Sequence, residues 1–246
     1  MNDKPNRSVA IITGGASGLG KAITEKLAQE KKNKIYFTYL SSKKAAKKIE
    51  DLHSNTKSIR VDFTSKTSLN GFLTLLSTLQ LDVLINNAIT SLIVNHFQKI
   101  NPCKFQESFN KNIVPIISIT QTFIKNARIK QFGKIITILS DNIINKPPIG
   151  LSEYTANKAY LHSLCKSWAV ENLKFNITSN CLSPSIMQTN LIYNIDPRFI
   201  EKLIKNSPSK SLLEKKDVAE AVFFLVYAPQ QINGINIIIN SATNIL

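Results

Sequence analysis

A tyrosine and a lysine stand four residues apart at the start of a segment with helical periodicity, in the run Tyr154-Thr155-Ala156-Asn157-Lys158. Residues four apart project from one face of a helix, so the two side chains would lie one turn from each other. A free tyrosine has a pKa of about 10 and donates a proton poorly at neutral pH. A nearby ammonium group would stabilise the phenolate and lower that pKa. The pair therefore predicts general acid–base chemistry.

The first apolar run of the chain leads directly into a glycine-rich turn at residues 13–20, with the sequence TGGASGLG, and a helical segment follows. Glycines let backbone amides approach a pyrophosphate, and the N-terminus of the next helix adds a partial positive charge. In this interpretation Gly14 makes the tight turn, Gly18 allows the close approach, and Gly20 lets the helix pack on the strand. The turn predicts a dinucleotide-binding site.

The end of the second predicted strand indicates which dinucleotide is bound. An acidic residue at that point would hold a ribose 2′-hydroxyl and repel a 2′-phosphate. The chain instead reads Ser41-Ser42-Lys43-Lys44, with hydroxyls and lysines and no acid. The site is therefore predicted to favour NADP(H) over NAD(H). The weaker alternative is that the lysines only form a solvated helix face.

Strand-length apolar runs alternate with segments of helical period along the chain. The predicted strands are 9–13, 34–40, 58–62, 83–86, 133–139, 176–182 and 235–239, and the predicted helices are 19–30, 43–53, 66–79, 105–126, 154–175 and 216–227. This alternation predicts one α/β domain over residues 1–246, a Rossmann-type doubly wound parallel sheet of about seven strands with helices on both faces. The irregular segment 183–213 is expected to cover the substrate side of the ligand crevice.

The composition excludes several classes of protein. The 246 residues are 43% hydrophobic and 19% charged, which is incompatible with wholesale disorder. Three scattered cysteines, Cys103, Cys165 and Cys181, favour neither a disulfide framework nor a metal site. No apolar run approaches the roughly 18 residues of a membrane span, and the polar start argues against a signal peptide. We therefore expect a cytoplasmic protein.

The net charge of +15, from 31 basic and 16 acidic residues, favours an anionic partner such as nucleic acid, a membrane surface or an acidic protein. The lysines are distributed over many segments, and no aromatic-interleaved basic run or recognition helix is present. Binding to nucleic acid or to a membrane surface, on a fold that has lost its catalytic activity, is therefore the weaker interpretation.

The glycine turn and the Tyr154–Lys158 pair, at these positions, resemble the short-chain dehydrogenase/reductase family over nearly the whole chain. Further matches are Asn86-Asn87-Ala88 after the fourth strand, Asn112 in the fourth helix, Ser140 after the fifth strand, Asp62 after the third, and residues 184–189 after the sixth. The resemblance implies a hydride transfer from NADPH to a carbonyl group.

The resemblance also implies a role for each matching residue. Tyr154 would be the general acid to the carbonyl oxygen, and Lys158 would bind the nicotinamide ribose and tune Tyr154. Ser140 would orient the carbonyl, and Asn112 would hold a water in the proton relay. The implied cofactor contacts are Gly14, Ser17, Gly18, Leu19, Gly20, Ser41, Ser42, Lys43, Asp62, Phe63, Asn86, Ala88, Tyr154, Lys158, Pro184, Ile186 and Thr189.

The chain departs from the family pattern at four points. Ile89 and Ser185 stand where glycines are usual, and Ser241-Ala242 replaces a glycine pair after the last strand. The interval from Ser140 to Tyr154 is one residue longer than usual, and Asp141 takes the usual offset. These departures concern the shape of the substrate pocket more than the hydride chemistry.

Two subfamilies compete for the substrate. The chain resembles 3-oxoacyl-carrier-protein reductases, enzymes of fatty acid or polyketide biosynthesis, in its length and over residues 180–191. An acidic acyl carrier protein would dock on a basic surface, for which we expect Arg128, Lys130, Lys134 and Lys174 to flank the entrance.

The alternative is a pteridine reductase. In that group an aspartate stands thirteen residues before the tyrosine, as Asp141 does here, and residues 145–150 also look similar. Either resemblance implies a homo- or hetero-oligomer, a dimer or tetramer assembled through the fourth and fifth predicted helices and the last strand.

Overall fold

The computed structural model describes residues 8–90, 92, 94–144, 146–187, 200–201, 204–205 and 207–243. Over these residues the strands are β1 Val9–Ile12, β2 Lys34–Tyr39, β3 Thr56–Arg60, β4 Val83–Asn86, β5 Gly133–Ile138, β6 Ile177–Pro184 and β7 Asn236–Ile239. The α-helices are α1 Gly18–Ala28, α2 Lys43–Leu52, α3 Lys66–Thr78, α4 Pro102–Asn112, α5 Val114–Lys130, α6 Ser152–Asn172 and α7 Lys215–Tyr227.

All seven strands belong to one parallel sheet with the order β3-β2-β1-β4-β5-β6-β7. The inner strands are apolar on both faces because helices cover both sides of them. The buried apolar residues form two hydrophobic cores. One core contains Ile23 of α1 and Val222 of α7. The other contains Phe72 of α3, Phe123 of α5 and Leu161 of α6. The predicted doubly wound α/β sheet is confirmed.

The strand order reverses at β1. From β1 the chain builds outward through β2 and β3, then crosses to the other side of β1 to form β4. Ile12 pairs with Ile85, and the Thr13 amide donates to the Ile85 carbonyl at 3.0 Å. Ligand crevices form at such reversal points, outside the carboxyl ends of the strands. The topology thus brings the glycine turn next to the residues that follow β4.

The predicted helix 105–126 is wrong, because the structure has two helices there. Helix α4 ends at Asn112 and α5 begins at Val114. Pro115 lacks an amide proton and cannot make the hydrogen bond that would continue α4, so the chain breaks around Ile113. The break places Asn112 at the end of a helix, beside the loop that follows β4.

Strand β3 begins two residues before its predicted start. It pairs with β2 from Ile35↔Thr56 to Tyr39↔Arg60, so its ladder stops where β2 stops. Residues 61 and 62 consequently lie past the end of the strand and lead into the crevice. The segment 183–213 is described only in part, but its two ends lie side by side, since Met187 bridges Leu213. None of the described helices is long and apolar enough to cross a membrane.

Candidate active site

A cavity of about 1150 Å³ opens at the carboxyl edge of the sheet. Its walls are the glycine turn, the residues after β2 to β6, and the first turns of α6. Cavities for drug-sized ligands span roughly 300–1,000 Å³, so this one has room for a dinucleotide and a small substrate together.

The glycine turn forms the floor of the nucleotide end. Gly14 has φ +68 and its amide donates to Thr38 Oγ1 at 2.9 Å. A Cβ on Gly20 would lie 2.1 Å from the Gly14 carbonyl oxygen, so no side chain fits there. Ser17 caps α1 without a side-chain hydrogen bond, and the first turn contains no acid. The first amides of α1 are therefore available to an anion, which fits a pyrophosphate.

The loop after β4 is tied to the glycine turn through Thr13. The Thr13 hydroxyl accepts from the amides of Asn87 and Ala88 at 2.9 and 3.0 Å. Asn87 Nδ2 in turn donates to the Thr13 carbonyl at 2.9 Å. Two chain segments separated by a long stretch of sequence thus form one rigid wall of the cavity.

The expected cofactor contact at Asn86 is not supported by its position. Asn86 is 1% exposed, donates from Nδ2 to Thr120 Oγ1 at 3.1 Å, and does not line the cavity. Its neighbour Asn87 does line the cavity. Asn86 is the last residue of β4, and alternation of side chains across a strand sends these two neighbours to opposite sides. Counting that alternation would have identified Asn87.

The adenosine end lies beyond β2 and β3. Ser41, Ser42, Asp62 and Phe63 line the cavity, whereas Lys43 is exposed at the start of α2 and does not line it. The Asp62 carboxylate accepts two hydrogen bonds from Thr64, at 2.8 and 2.7 Å, and these hold the pKa of Asp62 below its usual range.

A basic residue that the sequence analysis overlooked also lies at this end. Arg60 Nε donates to the Leu40 carbonyl at 3.3 Å, which places the guanidinium beside the turn that begins at Ser41. The available signal was its position as the last residue of β3, paired with the last residue of β2. Arg60 adds positive charge at this end and contributes to the lowered pKa of Asp62.

The predicted catalytic residues converge on the opposite end of the cavity. Ser140, Tyr154 and Lys158 all line it. Lys158 Nζ donates to the Ile138 carbonyl at 2.7 Å and lies 5.9 Å from the centre of the Tyr154 ring. Lys158 is 6% exposed, and burial lowers its pKa to about 8, against an opposing effect of the Cys165 and Cys181 thiols.

The pKa of Tyr154 moves in the direction opposite to the expectation. The pKa is raised to about 12, mainly by burial and also by the charge of Asp141, and a hydrogen bond with Ser140 opposes the rise. Tyr154 is therefore protonated at neutral pH, and the raised pKa makes its hydroxyl a weaker acid than that of a free tyrosine.

Asn112 has its side chain engaged by protein groups. Its Oδ1 accepts from the amide and the hydroxyl of Thr90, both at 2.8 Å, and its Nδ2 donates to Ser108 Oγ at 3.2 Å. Asn112 also lines the cavity. Its visible role is to hold the loop after β4 in place, while the water-binding role stays a prediction.

The remaining predicted contacts divide into two groups. Ser17, Gly18, Leu19, Ala88, Pro184 and Ile186 line the cavity, whereas Thr189 lies outside the described residues. Ile89 and Ser185, which replace usual glycines, line it as well. Ser241 and Ala242 have φ +51 and +58, so the left-handed backbone conformation that favours glycine is kept without glycine.

The four basic residues expected at the entrance do not flank the cavity of their own chain. They lie at or beside the ends of elements at the amino edge of the sheet, opposite the cavity. Lys130 pairs with Asp82, Arg128 Nε donates to Asn172 Oδ1 at 2.8 Å, and Lys134 donates to the Ala228 carbonyl. Lys174 lies over the ring of Phe175. Within the described part of the chain, the exposed lysines that line the cavity are Lys111 and Lys146.

Comparison with known proteins identifies the family to which the chain belongs. The sequence profile described as short chain dehydrogenase matches residues 8–198. The chain therefore belongs to the short-chain dehydrogenase family, in agreement with the glycine turn and the Tyr154–Lys158 pair.

Individual proteins that resemble the chain share between 20% and 30% of their residues with it. The chain is 30% identical to the 3-oxoacyl-[acyl-carrier-protein] reductase of Buchnera aphidicola subsp. Acyrthosiphon pisum, over 89% of this chain and 90% of the relative. It is 29% identical to the acetoacetyl-CoA reductase of Rhizobium meliloti, over 88% and 90%. A solved gluconate 5-dehydrogenase from Burkholderia cenocepacia, in complex with NADP and tartrate, has a TM-score of 0.87 at 20% identity, covering 98% of this chain and 97% of that one. The last likeness concerns the fold.

Proposed function

We propose that the protein reduces a 3-oxoacyl thioester to the 3-hydroxyacyl thioester with NADPH. The observation that carries this proposal is the convergence of Ser140, Tyr154 and Lys158 on one cavity whose other end is a glycine turn at a helix N-terminus. The substrate class is supported by relatives of two names, since acetoacetyl-CoA is itself a 3-oxoacyl thioester.

NADP(H) fits the residues at the nucleotide end. The amides at the start of α1 would hold the pyrophosphate. Ser41, Ser42 and Arg60 would hold the 2′-phosphate, because no acid stands at the end of β2 to repel it. The bound NADP in the gluconate 5-dehydrogenase structure supports this choice. When bound, the cofactor supplies the hydride.

The chain's own residues handle the proton. Tyr154, with a pKa raised to about 12, keeps its proton until the carbonyl oxygen gains negative charge and then donates it. Ser140, hydrogen-bonded to Tyr154, would donate its own hydroxyl proton to the same oxygen once a substrate is present. Lys158 then restores the proton to Tyr154 from its ammonium group, whose pKa is lowered to about 8.

The proposal also includes an acyl carrier protein as the partner that delivers the substrate, and assembly of the chain into an oligomer. Lys111 and Lys146 supply positive charge at the cavity for an acidic carrier. On α5 and α6, the exposed apolar side chains Ile129, Tyr160 and Val170 support assembly through these helices.

The test measures loss of NADPH absorbance with acetoacetyl-CoA and with an acetoacetyl group on an acyl carrier protein. Turnover of both, with the lower KM for the carrier-bound form, is the expected result. A Lys111→Glu, Lys146→Glu double variant should raise KM for the carrier-bound form alone. Turnover of 5-ketogluconate in place of either thioester would refute the thioester as the substrate class, while the reduction of a carbonyl group would still be supported.

A second candidate function, pteridine reduction, is favoured by one observation. Asp141 lines the cavity, is 6% exposed, and its charge raises the pKa of Tyr154. A carboxyl group at this point could relay a proton to a ring nitrogen, which a ketone reduction does not need. Turnover of dihydrobiopterin but not of thioesters, abolished in Asp141→Asn, would establish this alternative.

A further inference from the structure

A second, much smaller cavity lies behind the catalytic pair, between α4 and α6. Its volume is about 20 Å³, enough for one water molecule. Its polar walls are Asn112, Glu153, Tyr154, Asn157 and Lys158. The buried catalytic lysine thus shares a water-sized space with a carboxylate that neither the family motif nor the proposed mechanism uses.

The hydrogen bonds around Ser108 fix the position of this carboxylate. Ser108 Oγ accepts from Asn112 Nδ2 at 3.2 Å and from Asn157 Nδ2 at 2.9 Å. Because amide nitrogens only donate, the Ser108 hydroxyl proton is left to point at Glu153 Oε1. Asn157 Nδ2 also donates to Glu153 Oε1, at 2.9 Å. Glu153 is therefore held from two helices.

Glu153 also connects the small cavity with solvent. Lys158 is buried, whereas Glu153 is partly exposed. Among the described residues that line this cavity, Glu153 is the only one with an acidic side chain. Glu153 is thus the group best placed to exchange protons with solvent and with the small cavity.

The proposed reaction creates a demand for such an exchange. Each reduction consumes one proton from Tyr154, which Lys158 replaces, and the resulting Lys158 amine must regain a proton from water. The small cavity is the water-sized space at hand on the α4 side of Lys158. This step rests on the proposed function.

We propose that Glu153 passes this proton from solvent to the small cavity. Its carboxylate takes a proton from bulk water and hands it to the cavity water as that water protonates the Lys158 amine. The carboxylate returns to its ionised form, so one solvent proton is consumed per turnover and no electrons move in this step. Because Glu153 acts through Lys158 and touches no substrate, it is a positioning residue of the proton route.

The variant Glu153→Gln tests the proposal, since the amide oxygen can still accept from Ser108 and Asn157 but cannot carry the proton. We expect kcat to fall roughly tenfold with KM unchanged. The first turnover should stay fast, giving a burst of one NADPH oxidised per site, and added acetate should restore the steady-state rate. The matched control is Glu107→Gln, an exposed neighbour of Ser108 paired with Lys104 and Lys111, which should keep the wild-type kcat with acetoacetyl-CoA.

A second readout needs no substrate. With ¹⁵N-labelled lysine, the exchange of the Lys158 Nζ protons with solvent should slow in Glu153→Gln and not in Glu107→Gln. Slowed exchange in a protein whose wild type reduces neither thioester would refute the proposed substrate and support the role of Glu153. Unchanged exchange, or a kcat loss that accompanies a lower Tm and resists acetate, would overturn the role of Glu153.

Discussion

The nucleotide end and the catalytic end of the cavity are built in opposite ways. At the nucleotide end, the side chains of Thr13, Thr38 and Asn87 are hydrogen-bonded to backbone groups. At the catalytic end, burial shifts the pKa values of Tyr154 and Lys158 away from their usual ranges.

Hydrogen bonds therefore hold the backbone in place at the nucleotide end, whereas burial perturbs the ionisable side chains at the catalytic end. The comparison teaches that the nucleotide end is a stable scaffold, whereas the catalytic end keeps its reactive groups in surroundings that oppose their ordinary charge states.

The largest effect should come from the catalytic end. Tyr154→Phe removes the proton donor and keeps the ring, so kcat should fall about 10³-fold with the Kd for NADPH little changed. Stopped-flow turnover and fluorescence titration of NADPH measure the two quantities. A fall in NADPH affinity of similar size would show that the two ends are not separable.

Gly20→Ala should damage the nucleotide end alone. The new methyl group would meet the Gly14 carbonyl oxygen, so the turn must shift and the Kd for NADPH should rise about 10- to 100-fold. Gly71→Ala in α3 is the matched control, because its added methyl group meets no atom within 4 Å. Equal affinities in the two variants would contradict a rigid cradle.

Ser41→Asp sharpens the description of the nucleotide end. A carboxylate beside the 2′-phosphate should raise KM for NADPH about tenfold and leave KM for NADH unchanged or lower. Ser54→Asp, an exposed change at the other edge of the sheet, should alter neither. A uniform change for both cofactors would place the 2′-phosphate elsewhere.

Lys158→Met should abolish turnover and yet stabilise the fold at pH 7, by about 1–2 kcal/mol. The pKa of Lys158 is about 8 in the folded protein, below its ordinary value of 10.5, so the unfolded chain binds more protons between these values. The native lysine therefore opposes folding fully below pH 8, and its cost disappears as pH rises toward 10.5. Urea unfolding should show the advantage of the variant at pH 7 and its loss near pH 10. An advantage that does not shrink with pH would contradict a charge effect.

Local signals in the sequence predicted much of this arrangement. The glycine turn and the i, i+4 spacing of Tyr154 and Lys158 are properties of short segments, and the structure places both on one cavity. The break between α4 and α5 was missed because apolar periodicity continues through it, although Pro115 was a visible signal. The extent of a single domain over 1–246 stays a prediction.

Long-range placement was harder to predict. The misplaced basic residues Arg128, Lys130, Lys134 and Lys174 depend on which edge of the sheet each element end reaches. In a parallel α/β fold the helices run back against the strands, so helix ends and strand starts share the amino edge. Tracing that topology would have moved all four away from the cavity. The pKa of Tyr154 needed three-dimensional burial, which no spacing rule supplies.

The hydrogen bonds between Thr13 and the loop after β4 have a consequence for how the chain folds. Its hydroxyl joins β1 to residues about 74 positions later, across the whole β2–β3 excursion. Closing so long a loop costs chain entropy before the contact can form. A nascent or partly folded chain that has completed only β1 to β3 has the glycine turn but not its second wall. Capacity to bind the nucleotide therefore arises with the docking of β4, and ligand affinity during refolding reports that single long-range event.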